Sequence, residues 1–304
     1  MANISFSMGL IENFARYLAN ERNYSQRTVD SYTSDLVQFS DYVRSVDPEM
    51  TIQNADRDLV RDWMVSLMDT GSGPASVNRK LSTLRTFYKY LRLTGVVESS
   101  PAALVKGPKK PKPLPYFVRE SDMDNILDNH DFGDGYKAVR DRAMMAVFYE
   151  AGLRLAELVS LDVRDVDMPS RLIKVTGKRS KQRIIPFGPD LESILTEYLS
   201  AREEFAGTAD GPFFLGTGGG RIPRHQVYLT VHDVLSQESD VGKKSPHVLR
   251  HSFATSMLNN DAGLESVREL LGHDSVATTE IYTHTTFKEL QDVYKKAHPR
   301  SDKG

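Results

Sequence analysis

A helix is predicted to begin at the stretch Ser245-Pro246-His247-Val248-Leu249-Arg250. Serine is favoured just before a helix, and proline suits the first turn because its missing N–H is not needed there. His247 and Arg250 are three residues apart, so both side chains lie on one face of that turn. The unpaired N–H groups and the positive end of the helix dipole favour a bound phosphate at this position. The stretch therefore predicts a helix whose first turn favours an anion, although His-x-x-Arg alone is a spacing that is common by chance.

His247 and His251 are also four residues apart, which is the spacing of two zinc ligands on one helix face. A helical metalloprotease motif needs glutamate directly after the first histidine, where this chain has Val248. The sequence contains no cysteine, which excludes thiolate metal sites, disulfides and cysteine nucleophiles. We therefore expect neither a metal site nor a cofactor.

Two basic residues upstream lie at predicted turns. Arg154 stands at a corner between two predicted helices, within Gly152-Leu153-Arg154-Leu155-Ala156-Glu157-Leu158, and it could simply pair with Glu157. Lys178 lies at the tip of a β-hairpin predicted from the β-branched residues of 172–175 and 183–185. A lysine at a hairpin tip is often exposed without having a function, and Lys181 lies in the same turn. These interpretations stay open at this level.

Two further residues lie near the C-terminus. Gly272 is predicted to end a helix as its C-cap, which places His273 at a corner between helices. Tyr282 lies near the end of the next predicted helix, where a tyrosine usually belongs to the core. Neither residue indicates a function alone. The ordered set is more informative than its members: Arg154, Lys178, His247, Arg250, His273, Tyr282.

The first third of the chain reads as four amphipathic helices, the fourth of which begins at Gly73-Pro74. Basic residues beside the apolar stripe of this fourth helix are our candidates for contact with a DNA groove: Arg79, Lys80, Arg85 and Lys89. A linker rich in proline and lysine follows at 106–115 and favours an extended chain. We expect a four-helix DNA-binding domain at 1–105 and a second, mostly helical domain at 116–304.

The 304 residues allow two domains with separate cores. The formal net charge of -2 argues only weakly against a nucleic-acid partner, because the basic residues are clustered and a phosphate backbone responds to the local field. No apolar run reaches the roughly 20 residues that span a bilayer, and the N-terminus shows no signal-peptide pattern. We therefore expect a cytoplasmic protein without membrane insertion.

The sequence resembles the tyrosine recombinase family, and in particular its bacterial XerC/XerD group. The matching phrases are Gly152 to Leu158, Ser245-Pro246-His247-Val248-Leu249-Arg250-His251-Ser252-Phe253-Ala254-Thr255, Leu271-Gly272-His273 and Ala297-His298-Pro299-Arg300. The resemblance covers nearly the full length. It implies a mainly α fold with a small β-sheet in the C-terminal domain. A SAM-like, core-binding N-terminal domain and a catalytic domain would form a C-shaped clamp.

The resemblance also implies catalytic roles. Arg154 and Arg250 would hold the two non-bridging oxygens of the scissile phosphate, for which the planar, always charged guanidinium is well suited. His247 and His273 would add hydrogen bonds as charge builds in the transition state, and His247 could assist proton removal. Two arginines would then replace the metal of many other phosphoryl-transfer sites.

Tyr282 would be the nucleophile and would form a 3′-phosphotyrosyl bond. A phenol has a pKa near 10, so it needs a cationic pocket or a base to react at neutral pH. Lys178 would protonate the departing 5′-oxygen, although Lys181 lies close enough in sequence to compete for that role. The covalent bond would conserve the phosphodiester energy, so rejoining would need no ATP.

The implied partners are a short bipartite double-stranded DNA site, a homologous partner recombinase in a tetramer, and the FtsK translocase. The implied role is the resolution of chromosome dimers at cell division. A mobile-element integrase is the alternative, but such enzymes often carry an additional N-terminal arm-binding domain, and this chain starts directly on the four-helix unit. A non-catalytic DNA-binding protein and a topoisomerase-like enzyme are less favoured. The last helix could pack on its own domain or on a neighbouring protomer.

Overall fold

The computed structural model describes residues 2–109, 116–177, 181–272 and 284–301. The chain divides into two compact units, Met1–Pro113 (unit 1) and Leu114–Gly304 (unit 2). Separate clusters of buried apolar side chains form the cores of the two units. Of the predicted linker at 106–115, the structure describes the residues up to Lys109, and the remainder lies outside the described ranges.

Unit 1 contains the four helices that its apolar stripes predict, namely α1 Ala2–Asn20, α2 Gln26–Val46, α3 Arg57–Asp69 and α4 Pro74–Leu93. Local caps fix where α3 and α4 begin. The side chain of Asp56 accepts a hydrogen bond from the N–H of Leu59 at 2.8 Å, and Pro74 occupies the first turn of α4. The core is aromatic at its centre, where Phe14, Phe39 and Trp63 are almost fully buried.

The helices described in unit 2 are α5 Glu120–Asp128, α6 Gly135–Ala151, α7 Leu155–Ser160, α8 Pro189–Ala206, α9 Arg224–Glu238, α10 Pro246–Asn259, α11 Leu264–Leu271 and α12 His284–Ala297. The centre of the unit is α6, whose residues 143–151 are all buried, as expected of a helix that is apolar on every side. The sequence predicts this helix and its end at Gly152, and both are confirmed. The predicted helix that carries Tyr282, at 276–283, lies outside the described ranges.

A small antiparallel sheet completes unit 2, with strands β1 Val166–Asp167, β2 Leu172–Thr176 and β3 Gln182–Pro186 in that order. The predicted hairpin is confirmed as β2–β3, in which Ile173 lies opposite Ile185 and Val175 opposite Arg183. The sequence analysis missed β1, because two residues are too few to show an alternating pattern. It also missed α5, whose first turn is acidic. The mainly α fold with a small sheet is confirmed.

The C-terminal segment packs on its own unit. Tyr294 and Ala297 are buried beside Phe253 and Met257 of α10. The guanidinium of Arg300 lies within 4 Å of four carboxylates of the same unit, those of Asp124, Asp128, Glu150 and Asp190. The sequence alone left open whether this helix packs in its own domain. Among the described residues, no helix has both the length and the apolar character needed to cross a membrane.

Candidate active site

α10 begins as the sequence predicts, with Ser245 before the helix and Pro246 in its first turn. The Ser245 hydroxyl does not cap the helix, and its buried oxygen has no hydrogen-bond partner within the described ranges. His247 is exposed, whereas Arg250 is only 5% exposed. One Nη atom of Arg250 donates to the Gly152 carbonyl at 2.6 Å, and the other donates to the Leu271 carbonyl. The first turn thus carries an exposed imidazole and a fixed, buried guanidinium.

Gly152 ends α6 and turns the chain toward Arg154. Its φ of 59° is left-handed, and an added Cβ would lie 2.5 Å from a ring carbon of Phe253, so glycine is required here. Arg154 then stands before α7. Its Nη1 donates to Glu157 Oε1 at 2.8 Å, and its Nη2 donates to the Gly272 carbonyl at 3.0 Å. Arg154 therefore pairs with Glu157, as the structural interpretation suggested, while 40% of its side chain remains exposed to solvent.

Arg154, His247 and Arg250 meet at a single cleft of about 380 Å³. Its other lining residues are Leu153, Leu155, Ala156, Arg224, Tyr228, Ser245 and Pro246. Three arginines, the imidazole of His247 and the N-terminus of α10 line this cleft, which is the arrangement expected of a phosphate site. The sequence analysis did not anticipate Arg224 and Tyr228, which α9 brings to this cleft.

Glu157 is a site residue that the sequence analysis considered only as a partner of Arg154. Its carboxylate is 4% exposed and lies among three guanidiniums. It accepts from Arg154 and, through both oxygens, from Arg183 at 2.7 and 2.9 Å, while Arg250 lies 3.7 Å away. The spacing Arg-x-x-Glu across a helix start is the signal that could have revealed it, because it is the spacing of a capping box.

The C-terminus of α11 binds the same three arginines through consecutive carbonyls. Leu270 accepts from Arg183 Nε at 2.8 Å, Leu271 accepts from Arg250, and Gly272 accepts from Arg154. The prediction that Gly272 is the C-cap is confirmed by its φ of 61°. The chain thus leaves α11 in a fixed direction immediately before His273.

The electrostatics of the cleft favour an anion. Burial and the nearby cations Arg154 and Arg183 lower the pKa of Arg250 to about 9, which Glu157 only partly opposes. Partial desolvation, together with Arg250 and Lys243, lowers the pKa of His247. A bound anion would relieve the repulsion among the arginines. A neutral imidazole at physiological pH would be able to accept a proton.

Three of the predicted catalytic residues, Lys178, His273 and Tyr282, lie outside the described ranges, so their roles remain predictions. For Lys178, the structure describes the residues on either side of 178–180, Gly177 and Lys181. The N–H of Gly177 donates to the carbonyl of Lys181 at 2.7 Å, which extends the β2–β3 pairing to the two residues that flank 178–180. Within the described parts of the chain, no group of three or more His, Cys, Asp or Glu side chains is arranged to hold a metal.

The basic residues of α4 are less free than the sequence suggests. Arg79 is exposed, but it binds the buried carboxylate of Asp35, which also accepts from Lys80 at 3.0 Å. Only 14% of the Lys80 side chain is exposed, so its contact with DNA stays a prediction. Arg85 is exposed and donates to the carbonyls of Ala102 and Val105 within unit 1. Lys89 is exposed, as expected.

Comparisons with known proteins agree with this geometry. Residues 116–289 match the phage integrase family, and residues 11–95 match the N-terminal SAM-like domain of phage integrases. The chain is 39% identical to the tyrosine recombinase XerC of Chlorobaculum tepidum, over 95% of this chain and 94% of that protein. It is 37% identical to XerC of Myxococcus xanthus, over 96% and 98% of the two chains.

Solved structures show the same fold at lower identity. The recombinase XerH bound to a palindromic difH substrate has a TM-score of 0.71 and 21% identity, over 90% of this chain and 81% of that chain. The Tn1549 transposon integrase bound to circular-intermediate DNA has a TM-score of 0.69 and 16% identity, over 94% and 99% of the two chains. Because the family match spans more than half of the sequence and includes the whole arginine–histidine cleft, this chain belongs to the phage integrase family of tyrosine recombinases.

Proposed function

We propose that this chain is a site-specific recombinase that cuts DNA and rejoins it through a 3′-phosphotyrosyl intermediate. The observation that carries the proposal is the cleft where Arg154, His247 and Arg250 meet at the start of α10. The two guanidiniums can each donate in a planar fork to the non-bridging oxygens of a phosphodiester. The neighbouring carbonyls and Glu157 hold those guanidiniums in place before DNA arrives, so little reorganisation is needed at the moment of reaction.

In the proposed step, the phenol oxygen of Tyr282 attacks phosphorus while the bond from phosphorus to the 5′-oxygen breaks. His247 accepts the phenol proton, for which its lowered pKa prepares it. Lys178 gives a proton to the departing 5′-oxygen, and His273 donates a hydrogen bond to the phosphate. Rejoining is the reverse reaction with the 5′-hydroxyl of a partner strand. One phosphodiester is exchanged for one phosphotyrosine, so no ATP is consumed.

The proposed biological role is the resolution of chromosome dimers at cell division. Support comes from the similarity to proteins named XerC over nearly the whole length of both chains, which favours this role over that of a mobile-element integrase. The proposed partners are a bipartite double-stranded DNA site, a homologous recombinase with which the chain forms a tetramer, and the FtsK translocase. We place the reaction in the cytoplasm.

The two parts of the chain would divide the work. We propose that 1–105 binds DNA as the core-binding domain, that 106–115 connects it, and that 116–304 carries out catalysis. Of the basic residues on α4, Lys89 is the candidate best placed for DNA contact, because Arg79, Lys80 and Arg85 already bind groups within unit 1.

The test uses a DNA site selected from genomic fragments by binding to the full chain. A duplex of that site, nicked next to the scissile phosphate, traps the covalent intermediate because the cut fragment diffuses away. Denaturing electrophoresis should show a protein–DNA band with the wild type and none with Tyr282→Phe. Arg250→Lys should retain the charge but lose the paired donors, and should reduce the rate of band formation about 100-fold or more.

A matched control is Arg171→Lys, since Arg171 forms an exposed pair with Glu192 on α8 and should not affect cleavage. Tight binding to the selected site without any covalent band would instead favour the non-catalytic alternative. A covalent band that persists in Tyr282→Phe would show that another residue is the nucleophile.

A further inference from the structure

Arg183 of β3 lies beneath the proposed site and does not line the cleft. Only 7% of its side chain is exposed, and its guanidinium is engaged on three sides. Nε donates to the carbonyl of Leu270, while Nη1 and Nη2 donate to the two oxygens of Glu157. A residue in this position cannot touch a phosphate in the cleft, so any effect on the reaction must pass through its partners.

These partners belong to the parts of the site that must be held together. Glu157 fixes Arg154 through a side-chain bond and through the backbone N–H of Arg154. Leu270 belongs to the run of carbonyls that also accepts from Arg250 and Arg154. Arg183 is therefore bonded both to the carboxylate that orients one phosphate-binding arginine and to the helix end that orients both.

Arg183 also belongs to the hairpin whose turn carries Lys178. It lies opposite Val175 of β2, and β2 ends one residue before Gly177. A Cβ placed on Gly177 would be 3.9 Å from Glu157 Oε1, so the start of the turn lies beside the same carboxylate. The guanidinium of Arg183 is thus a direct connection between the β2–β3 hairpin and the arginine pair.

We infer that Arg183 is a positioning residue for strand cleavage, which holds the β2–β3 hairpin in register with the phosphate-binding arginines Arg154 and Arg250. The inference rests on the proposed function, in which Lys178 protonates the leaving 5′-oxygen. Without Arg183, the hairpin would lose its connection to Glu157 and Leu270, and Lys178 would reach the leaving oxygen less often. A displacement of about 1 Å can slow an enzyme about 100-fold.

The experiment compares two nicked substrates in single-turnover cleavage by the full chain. One has the natural 5′-oxygen at the scissile bond, and the other has sulfur in its place. A thiol has a pKa near 8.5, so the sulfur can leave as a thiolate without receiving a proton. A defect confined to delivery of the leaving-group proton should therefore largely disappear on the sulfur substrate.

For Arg183→Met, we expect cleavage of the oxygen substrate to slow about 100-fold, with the affinity for uncut DNA unchanged. On the sulfur substrate, the deficit should shrink at least about tenfold, as it should for Lys178→Ala. Arg183→Lys keeps the charge and one donor and should recover part of the rate. If Arg183→Met does not fold, as judged by its thermal unfolding, the oxygen-to-sulfur comparison is made with Arg183→Lys.

The matched control is Arg202→Met. Arg202 is 1% exposed and donates to carbonyls of 208–213, none of which belongs to the cleft. Its loss should lower stability but leave the ratio of the two cleavage rates unchanged. The inference would be overturned if Arg183→Met slowed cleavage of both substrates by the same factor. It would also be overturned if Arg183→Met slowed cleavage no more than Arg202→Met does. If the wild type forms no covalent complex, or Tyr282→Phe still forms one, the proposed function fails instead.

Discussion

Glu157 carries a carboxylate that is almost completely buried between the guanidiniums of Arg154 and Arg183. Burial alone would raise its pKa. The hydrogen bonds and charge of Arg183, with the bonds from Arg154, lower the pKa to about 2 instead. The ionised form is therefore favoured by the fold, and a single side chain maintains the spacing of the arginines.

We expect Glu157→Gln to lose stability in a pH-dependent manner. Because the pKa in the folded protein lies below its usual value of 4.5, the carboxylate stabilises the fold fully above about pH 4.5. This contribution is lost as the pH falls toward 2. The shift corresponds to a free energy of unfolding on the order of 3 kcal/mol. Urea unfolding at pH 7, 4 and 3 should show the difference between wild type and variant shrinking with acid.

The control for this measurement is Glu197→Gln, which removes an exposed partner of Arg142 and should change stability little at any pH. A difference for Glu157→Gln that stayed constant from pH 7 to pH 3 would contradict the assigned pKa.

Gly152 offers a second test at the level of one residue. Both Gly152 and Gly207 end helices with a left-handed φ, 59° and 65° respectively, but only Gly152 has a ring carbon of Phe253 within 2.5 Å of an added Cβ. Gly207→Ala should cost about 1 kcal/mol of unfolding free energy, for its conformation alone. Gly152→Ala should cost about 1–3 kcal/mol more because the core is overpacked. If chemical denaturation showed the same loss of unfolding free energy for both alanine variants, the ring of Phe253 would have moved aside at no cost, contrary to this prediction.

At the level of elements, the contact between α6 and the C-terminal segment should contribute less to stability as the pH rises, which is the opposite of the trend for Glu157. Glu150 of α6 is fully buried, and burial raises its pKa to about 8 although Arg300 lies 3.7 Å away. With a raised pKa, the protonated form stabilises the fold. That contribution is complete below pH 4.5 and is lost as the pH rises through about 8.

Glu150→Gln should therefore become more stable relative to the wild type as the pH rises from 4.5 to 8, by a few kcal/mol at most. Unfolding by urea at pH 5 and pH 8.5 measures this change. The two glutamine variants, at Glu150 and Glu157, should show opposite trends with pH. A gain in wild-type stability over Glu150→Gln at the higher pH would refute this assignment.

Much of this architecture follows from periodicity and end signals in the sequence. The helical stripes predict α1 to α4, and the glycine signals place the ends of α6 and α11 correctly. Strands β2 and β3 of the sheet are predicted, but β1 is not. This strand has only two residues and is defined by its pairing with β2. A local sequence pattern cannot predict an edge strand that is recognised only by its hydrogen bonds to a neighbouring strand.

The sequence predicts three residues that line the cleft, Arg154, His247 and Arg250, but not the hydrogen bonds that connect them. The helix start indicates His247 and Arg250, whereas Arg154 was assigned only through the resemblance to the tyrosine recombinases. Glu157 and Arg183 were not assigned to the site, because their importance lies in hydrogen bonds that join segments distant in sequence. Lys80, a candidate for DNA contact, is another residue whose bond joins distant segments, since buried Asp35 on another helix holds its ammonium group.

For the whole molecule, the proposed mechanism predicts that cleavage does not depend on a divalent cation. Two guanidiniums would supply the positive charge that a metal supplies in many phosphoryl-transfer enzymes. Covalent-complex formation on the nicked duplex should proceed at an unchanged rate in excess EDTA. A Mg²⁺-dependent nuclease in the same buffer should be inactive, as a control for chelation. Cleavage that returns only when Mg²⁺ is added would rule out this mechanism.

The run of anchored carbonyls from Leu270 to Gly272 has a consequence for kinetics. The chain is fixed at Gly272 by arginines and again near Tyr294 by the core. Tyr282 belongs to the connection between these two points. Under the proposed function, the effective concentration of its phenol at the phosphate therefore depends on where these two anchors hold the chain. Changes far from the cleft that shift either anchor would alter that concentration without altering any group that touches DNA.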